Sequence, residues 1–508
     1  MNLLSSTYIF SFFTLLSRVL GYLRDILIAM FLGASIFADA FFVAFRLPNT
    51  FRRLFAEGSF NAAFIPSYTT AKIEGKTQGK KFADEILNFL ILILLFIILV
   101  VEIFTPYLVY LIAPGFFENS QKFNLTVELT RITFPFLFFV SLSSFFSGIL
   151  NSNNRFAAAA AAPIILNVIL IFSLLLSYFF KFNYVKQLSI GVTLAGLIQL
   201  LFLIFFASTY YKFSFNFKIQ LSKKVKFFFK KLLPSILSSG VTQINILIGT
   251  IIASFEASAV SYLYYAERIY QINLAIAGIA VGTVSLPILS RAFKEGKKFK
   301  IQNIQNKSIE LSLLFSIPAS LGLIFASNEI VSSLFGYGTF TPENVKQTAN
   351  ALKYFGFGIP AFALIKILSN SFFARDDTKT PFYISSFIVI VNILISISFF
   401  NKIGFIIIPI ATTISTWIGV LIYSYILTSK KFLRLKDFLS INILKIILNS
   451  VIMSFVLINA LKAFVNYLEY NNLYKLIYLL IIVSFVAGIY LISCYFTGVL
   501  KNKNFRFK

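Results

Sequence analysis

Apolar residues run through this 508-residue chain in long blocks separated by short polar segments. A block of about 20 such residues is long enough to cross a bilayer core as a helix. Read this way, the sequence predicts an all-α polytopic protein with about fourteen transmembrane helices. They cover Tyr8 to Leu32, Phe37 to Phe55, Ile86 to Ile112, Leu129 to Leu150, Ala157 to Phe180, Leu188 to Thr209 and Leu232 to Ser254, then Val260 to Leu289, Ile309 to Phe335, Ala349 to Ala374, Phe382 to Phe400, Ile403 to Leu427, Ile441 to Val465 and Leu473 to Val499. The second is the least hydrophobic. In it Asp39, Arg46 and Arg53 recur every seven residues, which puts them on one helix face.

Composition agrees: 58% of residues are hydrophobic, mean hydropathy is +0.85, and soluble domains hold roughly 45 to 50% apolar residues. The formal charge of +26 would suggest nucleic acid in a soluble chain. Here the lysines sit in short loops between apolar blocks, which is the positive-inside pattern, and no nucleic-acid partner is expected. The basic loops are Lys72 to Lys81, Lys212 to Lys231, Arg291 to Lys307, Arg375 to Lys379, Lys430 to Lys436 and Lys501 to Lys508, with Asn151 to Arg155 weakly basic. The intervening loops, such as Pro114 to Glu128, hold almost no Lys or Arg. A tally of roughly 28 basic residues against about 6 places both termini in the cytoplasm. Met1 to Ser6 carries no Lys or Arg, so the first block does not read as a removed signal peptide.

An internal repeat divides the chain. Ala44-Phe45-Arg46, Pro66 and Glu74-Gly75-Lys76 recur at matching distances as Ala266-Glu267-Arg268, Pro287 and Glu295-Gly296-Lys297, as expected for two six-helix halves related by an axis along the membrane normal. The expected organisation is an N-lobe over 1–211, a basic amphipathic cytoplasmic linker over 212–231, a C-lobe over 232–428, and two further helices with a basic tail over 429–508.

Chemistry enters with the charges inside the apolar blocks. Histidine is absent and Cys494 is the one cysteine, which removes Ser-His-Asp and Cys-His catalysis, His- or Cys-based zinc sites and any intrachain disulfide. Arg18, Arg24, Arg46, Arg52 and Arg53 lie within or at the ends of the first two spans, and Arg268 in the eighth. A cation at mid-bilayer costs roughly 2.5 to 3.5 kcal/mol on insertion scales, so such residues face a hydrated, protein-lined space. Structural ion pairs offer one account, Arg18 with Asp25 or Asp39 and Arg46 with Glu57. The arginines outnumber these acids, however, and guanidinium suits bidentate phosphate recognition.

Ser17-Arg18-Val19-Leu20-Gly21 with Arg24-Asp25, then Asp39 to Asn49 (DAFFVAFRLPN) and Arg52 to Phe60 (RRLFAEGSF), resembles the lipid II flippases of the MOP exporter superfamily. The resemblance continues through Asn154-Arg155-Phe156 with Ala162-Pro163, Gln243-Ile244-Asn245, Tyr265-Ala266-Glu267-Arg268 and Ala374 to Pro381 (ARDDTKTP). It implies a MATE-like exporter of fourteen helices, with two lobes in a V around a cationic cavity and two extra C-terminal helices that form a groove for the lipid tail. The implied cargo is undecaprenyl-diphosphate-MurNAc-pentapeptide-GlcNAc, moved from the inner to the outer leaflet by alternating access for peptidoglycan synthesis. Arg18, Arg24, Arg52 and Arg268 match the arginines that engage the headgroup. Asp25, Asp39, Arg46, Arg53 and Glu57 would form supporting ion pairs. No enzyme activity and no cofactor are expected, and a monomer in contact with the peptidoglycan synthesis machinery is.

The sequence departs from the pattern at one place. The sodium ligands of some family members correspond here to Gly249, Asn392, Ser396, Ile408 and Thr412. No carboxylate remains, so metal binding and sodium coupling through this site are expected to be weak or lost. Membrane potential is the alternative drive, at about 2.3 kcal/mol per charge per 100 mV. A flippase for another polyprenyl-diphosphate oligosaccharide, of the O-antigen or capsule type, shares the diphosphate chemistry. A multidrug antiporter would need an acidic, aromatic cavity, and a glycosyltransferase would need paired acids where Glu118, Glu128, Glu343 and Glu469 lie scattered.

Overall fold

The computed structural model describes residues 3–54, 60–213, 222–433 and 440–500. Glu57, residues 214–221 of the 212–231 linker and the basic tail Lys501 to Lys508 lie outside the described residues, and the linker from Lys223 onward is the start of a helix. Among those described there is no strand.

The chain divides into two compact units, Met1–Ser261 and Tyr262–Lys508. In the first, α1 (Leu3–Leu32), α2 (Ile36–Leu54), α3 (Phe60–Ile73), α4 (Lys76–Ile112), α5 (Ser120–Thr133), α6 (Phe136–Ser152), α7 (Phe156–Phe180), α8 (Tyr184–Ala207) and α9 (Lys223–Ala253) follow in order, and α10 (Ala259–Leu274) begins at its end. In the second, α10 continues through a π-helical segment, Ala275–Ala280, into α11 (Val281–Lys294). Then come α12 (Lys298–Phe325), α13 (Ser327–Phe335), α14 (Pro342–Phe373), α15 (Lys379–Ile403), α16 (Ile407–Ser429), α17 (Ile441–Ala463) and α18 (Lys475–Phe496).

Each apolar block coincides with helix. Ten helical stretches among the described residues are long and apolar enough to cross a membrane, one of them containing both α15 and α16. α1, α2 and α9 are not among the ten. α2 carries Asp39, Arg46, Arg52 and Arg53, and α9 opens on a lysine-rich turn. Several polar segments are helical as well. Lys76, Lys80 and Lys81 belong to α4, and Lys300 and Lys307 to α12. The block at Leu129 to Leu150 starts earlier, at Ser120, with a break between α5 and α6 at Phe134 and Pro135.

The sequence repeat has a structural counterpart in each unit. α3 and α11 are both 14 residues long, with Pro66 and Pro287 at the same position in each. Each ends at a Glu-Gly pair before a long helix, and Gly75 and Gly296 both have positive φ, 152° and 67°, values open mainly to glycine.

Prolines inside these helices leave a carbonyl four residues back without its usual amide donor, and in a membrane such a group must be satisfied by protein. Neighbouring helices supply hydroxyls. Pro48 frees Ala44 O, which accepts from Thr133 on α5 at 3.0 Å. Pro318 frees Leu314 O, which accepts from Tyr490 on α18 at 2.7 Å. Pro360 frees Gly356 O, which accepts from Ser320 on α12 at 2.7 Å. These bonds tie α2 to α5, α12 to α18 and α14 to α12.

Two further contacts position the candidate site. Phe64 on α3 is fully buried among Phe60, Tyr68, Phe82, Phe145 and Phe228, which ties α3, α4, α6 and α9 together. In the second unit α17 is anchored by the buried Glu310 of α12, whose carboxylate accepts from Ser440 at 2.7 Å and Asn442 at 3.2 Å at the α17 N-terminus. A carboxylate is favoured there by the helix dipole.

Candidate headgroup site

In the first unit the arginines have different environments. Arg24 is 6% exposed and Asp25 2%. The two are adjacent on α1, and both Nε and Nη2 of Arg24 donate to Asp25 Oδ1, at 3.0 and 2.6 Å. Nη1 donates to Asn167 Oδ1 on α7 at 2.9 Å, and Asn167 Nδ2 donates to the Ser17 carbonyl at 2.8 Å. The buried guanidinium is thus partnered along three N–H directions, which offsets the desolvation that an unpaired one would suffer. Arg18 is exposed. Arg46, Arg52 and Arg53 are half-buried, and Arg52 Nε donates to Asn49 at 3.0 Å.

Asp39 does not pair with an arginine. It is fully buried and takes Lys122 Nζ on Oδ2 at 2.6 Å. The backbone amide and hydroxyl of Ser261 bind Oδ1 at 2.9 and 2.5 Å. The carboxylate therefore caps the first turn of α10 while neutralising a buried lysine, itself seated 3.8 Å from the Phe116 ring centre. This corrects the expectation that Arg18 would take Asp25 or Asp39. Asp25 holds Arg24, whose guanidinium also reaches Asn167 on α7, and Asp39 holds Lys122. Glu57, the expected partner of Arg46, lies outside the described residues.

In the second unit Arg268 is half-buried on α10. It donates to the Tyr264 hydroxyl one turn earlier at 2.8 Å and lies 4.7 Å from that ring's centre. A guanidinium held over an aromatic face is attracted to the ring and so kept in one orientation. Asn392, Ser396 and Thr412 converge between α15 and α16. Asn392 Nδ2 donates to Thr412 at 3.4 Å, Ser396 donates to Asn392 Oδ1 at 3.3 Å, and Thr412 donates to the Ile408 carbonyl at 2.7 Å. The three side chains thus bond one another, and Thr412 also engages the Ile408 carbonyl. Gly249 lies in the other unit.

Lys122, Asn167 and Tyr264 escaped the sequence reading. Lys122 alone left a trace, as a lysine in a segment, Pro114 to Glu128, with no other basic residue. Asn167 sits in the middle of an apolar block, where nothing in the spacing marks it.

The helical fold, built from two units with recurring elements, is shared with transporters of the MOP superfamily. It matches the inward-facing structure of a multidrug resistance MATE family transporter with a TM-score of 0.67 at 14% identity, over 82% of this chain and 95% of that one, a likeness of fold alone. A solved structure titled lipid II flippase MurJ, inward closed conformation, matches with a TM-score of 0.80 at 30% identity, over 96% of this chain and 98% of that one. The probable lipid II flippase MurJ of Rickettsia prowazekii (strain Madrid E) is 38% identical over 97% of this chain and 96% of that protein. The family profile described as Lipid II flippase MurJ matches residues 28–503, and the chain belongs to that family.

Proposed function

We propose that this protein carries lipid II, the undecaprenyl-diphosphate-linked disaccharide pentapeptide, from the inner to the outer leaflet of the cytoplasmic membrane. The reading makes it a multi-pass transporter of the peptidoglycan pathway rather than an enzyme. The observation that carries it is the family match across residues 28–503, and the arginine chemistry agrees. Arg24 is pre-oriented by Asp25 and Asn167 and Arg268 by Tyr264. Preorganised guanidinium suits a diphosphate because little ordering remains to be done on binding.

Fourteen spans with both termini in the cytoplasm account best for the alternation of basic and neutral loops. Transport proceeds by alternating access, with Arg18, Arg24, Arg52 and Arg268 engaging the headgroup and α17 with α18 guiding the tail. Membrane potential supplies the drive. Two negative charges moved outward through 100 mV release about 4 to 5 kcal/mol if no positive charge moves with them. The Asn392, Ser396 and Thr412 cluster takes no part in coupling.

Depletion of the protein, followed by assay of lipid II on each leaflet, tests the proposal. Accumulation on the cytoplasmic face is expected. An unchanged leaflet distribution, or accumulation of a different polyprenyl-diphosphate sugar, overturns it.

A further inference from the structure

The segment Asn154-Arg155-Phe156 with Ala162-Pro163 has no part in the headgroup site, yet it borders a cavity. Six consecutive alanines, Ala157 to Ala162, open α7, and their small side chains leave a space of about 380 Å³ between the ends of α1, α6, α7 and α8. Its walls are Ala158 and Ala161 on α7, Phe13 on α1, and Phe202 and Phe206 on α8. At one end the surface turns polar: Arg155 Nε donates to the Tyr210 hydroxyl at 2.7 Å, with Thr209 beside it.

Three observations bear on the occupant. First, Arg155 is exposed and has no carboxylate partner among the described residues. Its Nε is engaged by Tyr210, which leaves the Nη groups as the donors for a ligand. Second, this is the basic end of the unit, since Lys72 from the α3 terminus bonds Asn153. Third, the apolar surface extends beyond the cavity, with Phe12 62% and Phe205 72% exposed, as a wall facing acyl chains would be. An apolar slot capped by an unneutralised cation at the basic end of a membrane protein is complementary to one amphiphile with an anionic head.

We propose that this cavity is a binding site for an anionic glycerophospholipid of the cytoplasmic leaflet, its phosphate on Arg155 and Tyr210 and part of an acyl chain against Phe13, Ala161 and Phe206. It is distinct from the Arg24, Asp25 and Asn167 network, since Phe13 precedes Arg24 by eleven residues, about 16 Å along a straight helix. The amides of the first α7 turn carry no side-chain cap and add a favourable field for the phosphate. The occupant steadies the α1, α7 and α8 ends around the alanine run, where side chains alone leave a void.

Native mass spectrometry of the purified full chain with dioleoyl phosphatidylglycerol and dioleoyl phosphatidylcholine tests this. The wild type should retain phosphatidylglycerol over phosphatidylcholine by about fivefold, the scale of one basic residue at an anionic surface. Arg155→Gln should abolish the preference, Arg155→Lys should keep most of it, and Ala161→Phe should lower retention of both lipids. A second measurement does not depend on a filled cavity. With Phe206→Trp in a Trp417→Phe background, phosphatidylglycerol brominated on its acyl chains should quench fluorescence more than brominated phosphatidylcholine does. Undiminished preference in Arg155→Gln, equal quenching by the two lipids, or displacement of phosphatidylglycerol by undecaprenyl diphosphate at equal concentration would overturn the proposal. The last outcome would make the cavity part of the cargo path.

Discussion

Lys122 and Asp39 form a salt bridge of 2.6 Å in which both side chains are almost wholly withdrawn from solvent, the lysine from a segment otherwise free of basic charge and the aspartate from the most polar of the apolar blocks. Breaking a buried pair from one side strands the other charge, at a cost of about 3 to 5 kcal/mol. Asp39→Ala should therefore lower the detergent-solubilised melting temperature more than Lys122→Met combined with Asp39→Asn does. Equal losses in the single and double variants would show that the two charges are not coupled.

Arg24 and Asp25 call for a different reading, since Asn167 shares the guanidinium. Asp25→Asn should reduce flipping in proteoliposomes by at least about tenfold, as a loss of 1.4 kcal/mol or more in orienting Arg24 would. Arg268→Ala should abolish flipping while the protein inserts and melts normally. Full transport by Arg268→Ala would remove it from the headgroup site.

Tyr490, Leu314 and Pro318 allow a cycle with a built-in control. Tyr490→Phe leaves the Leu314 carbonyl without its donor, which costs about 1 to 3 kcal/mol. In a Pro318→Ala background residue 318 regains an amide that can serve Leu314 O, so the same Tyr490→Phe change should cost under about 0.5 kcal/mol. Thermal unfolding of the four proteins reads the coupling, and additivity would refute it.

Sodium should be dispensable. Replacing it with choline at a fixed membrane potential is expected to leave the flipping rate within about twofold, because hydroxyls and an amide that bond one another offer no charge to a hard cation. A drop beyond tenfold would show that a cation site operates elsewhere or that this one suffices.

Asp377 supplies a pH test outside the spans. Burial works to raise its carboxyl, but the Thr380 amide and hydroxyl, at 3.0 and 2.7 Å, together with Lys430 and the Lys379 amide, prevail and hold it below the ordinary range. A lowered folded-state value means that the stabilisation is present above the unfolded value, about 3.9, and is lost as pH falls through the lower folded one. Asp377→Ala should cost about 1 kcal/mol at pH 7. The gap between variant and wild type should close in melts run toward pH 3, and a constant gap would contradict this account.

The apolar blocks, the alternation of loop charge and the repeated Glu-Gly pairs were all legible in the chain. Each is a local or periodic property: a bilayer sets block length, the positive-inside rule sets loop charge, and the turns at Gly75 and Gly296 need a residue that tolerates positive φ. The arginines inside the apolar blocks were legible for the same reason, because a charge in an apolar block stands out against its neighbours. Their partners were not. Spacing on one helix favoured Arg18 for Asp25, whereas Asn167, distant in sequence and on α7, turns Arg24 toward its own neighbour. Lys122 reached Asp39 across 83 residues, and Tyr490 reached Leu314 across 176.

By itself, then, the sequence determined that this is a many-helix membrane protein with arginines inside its apolar blocks and no carboxylate at Asn392, Ser396 or Thr412, since composition and periodicity carry those facts. Only the tertiary structure decided which charges neutralise one another, which hydroxyl serves each proline-freed carbonyl, and that a run of alanines beside Arg155 encloses a cavity. A hydrogen bond or a void depends on side chains from separate helices meeting within a few ångströms, and no pattern along one helix specifies what another brings to it.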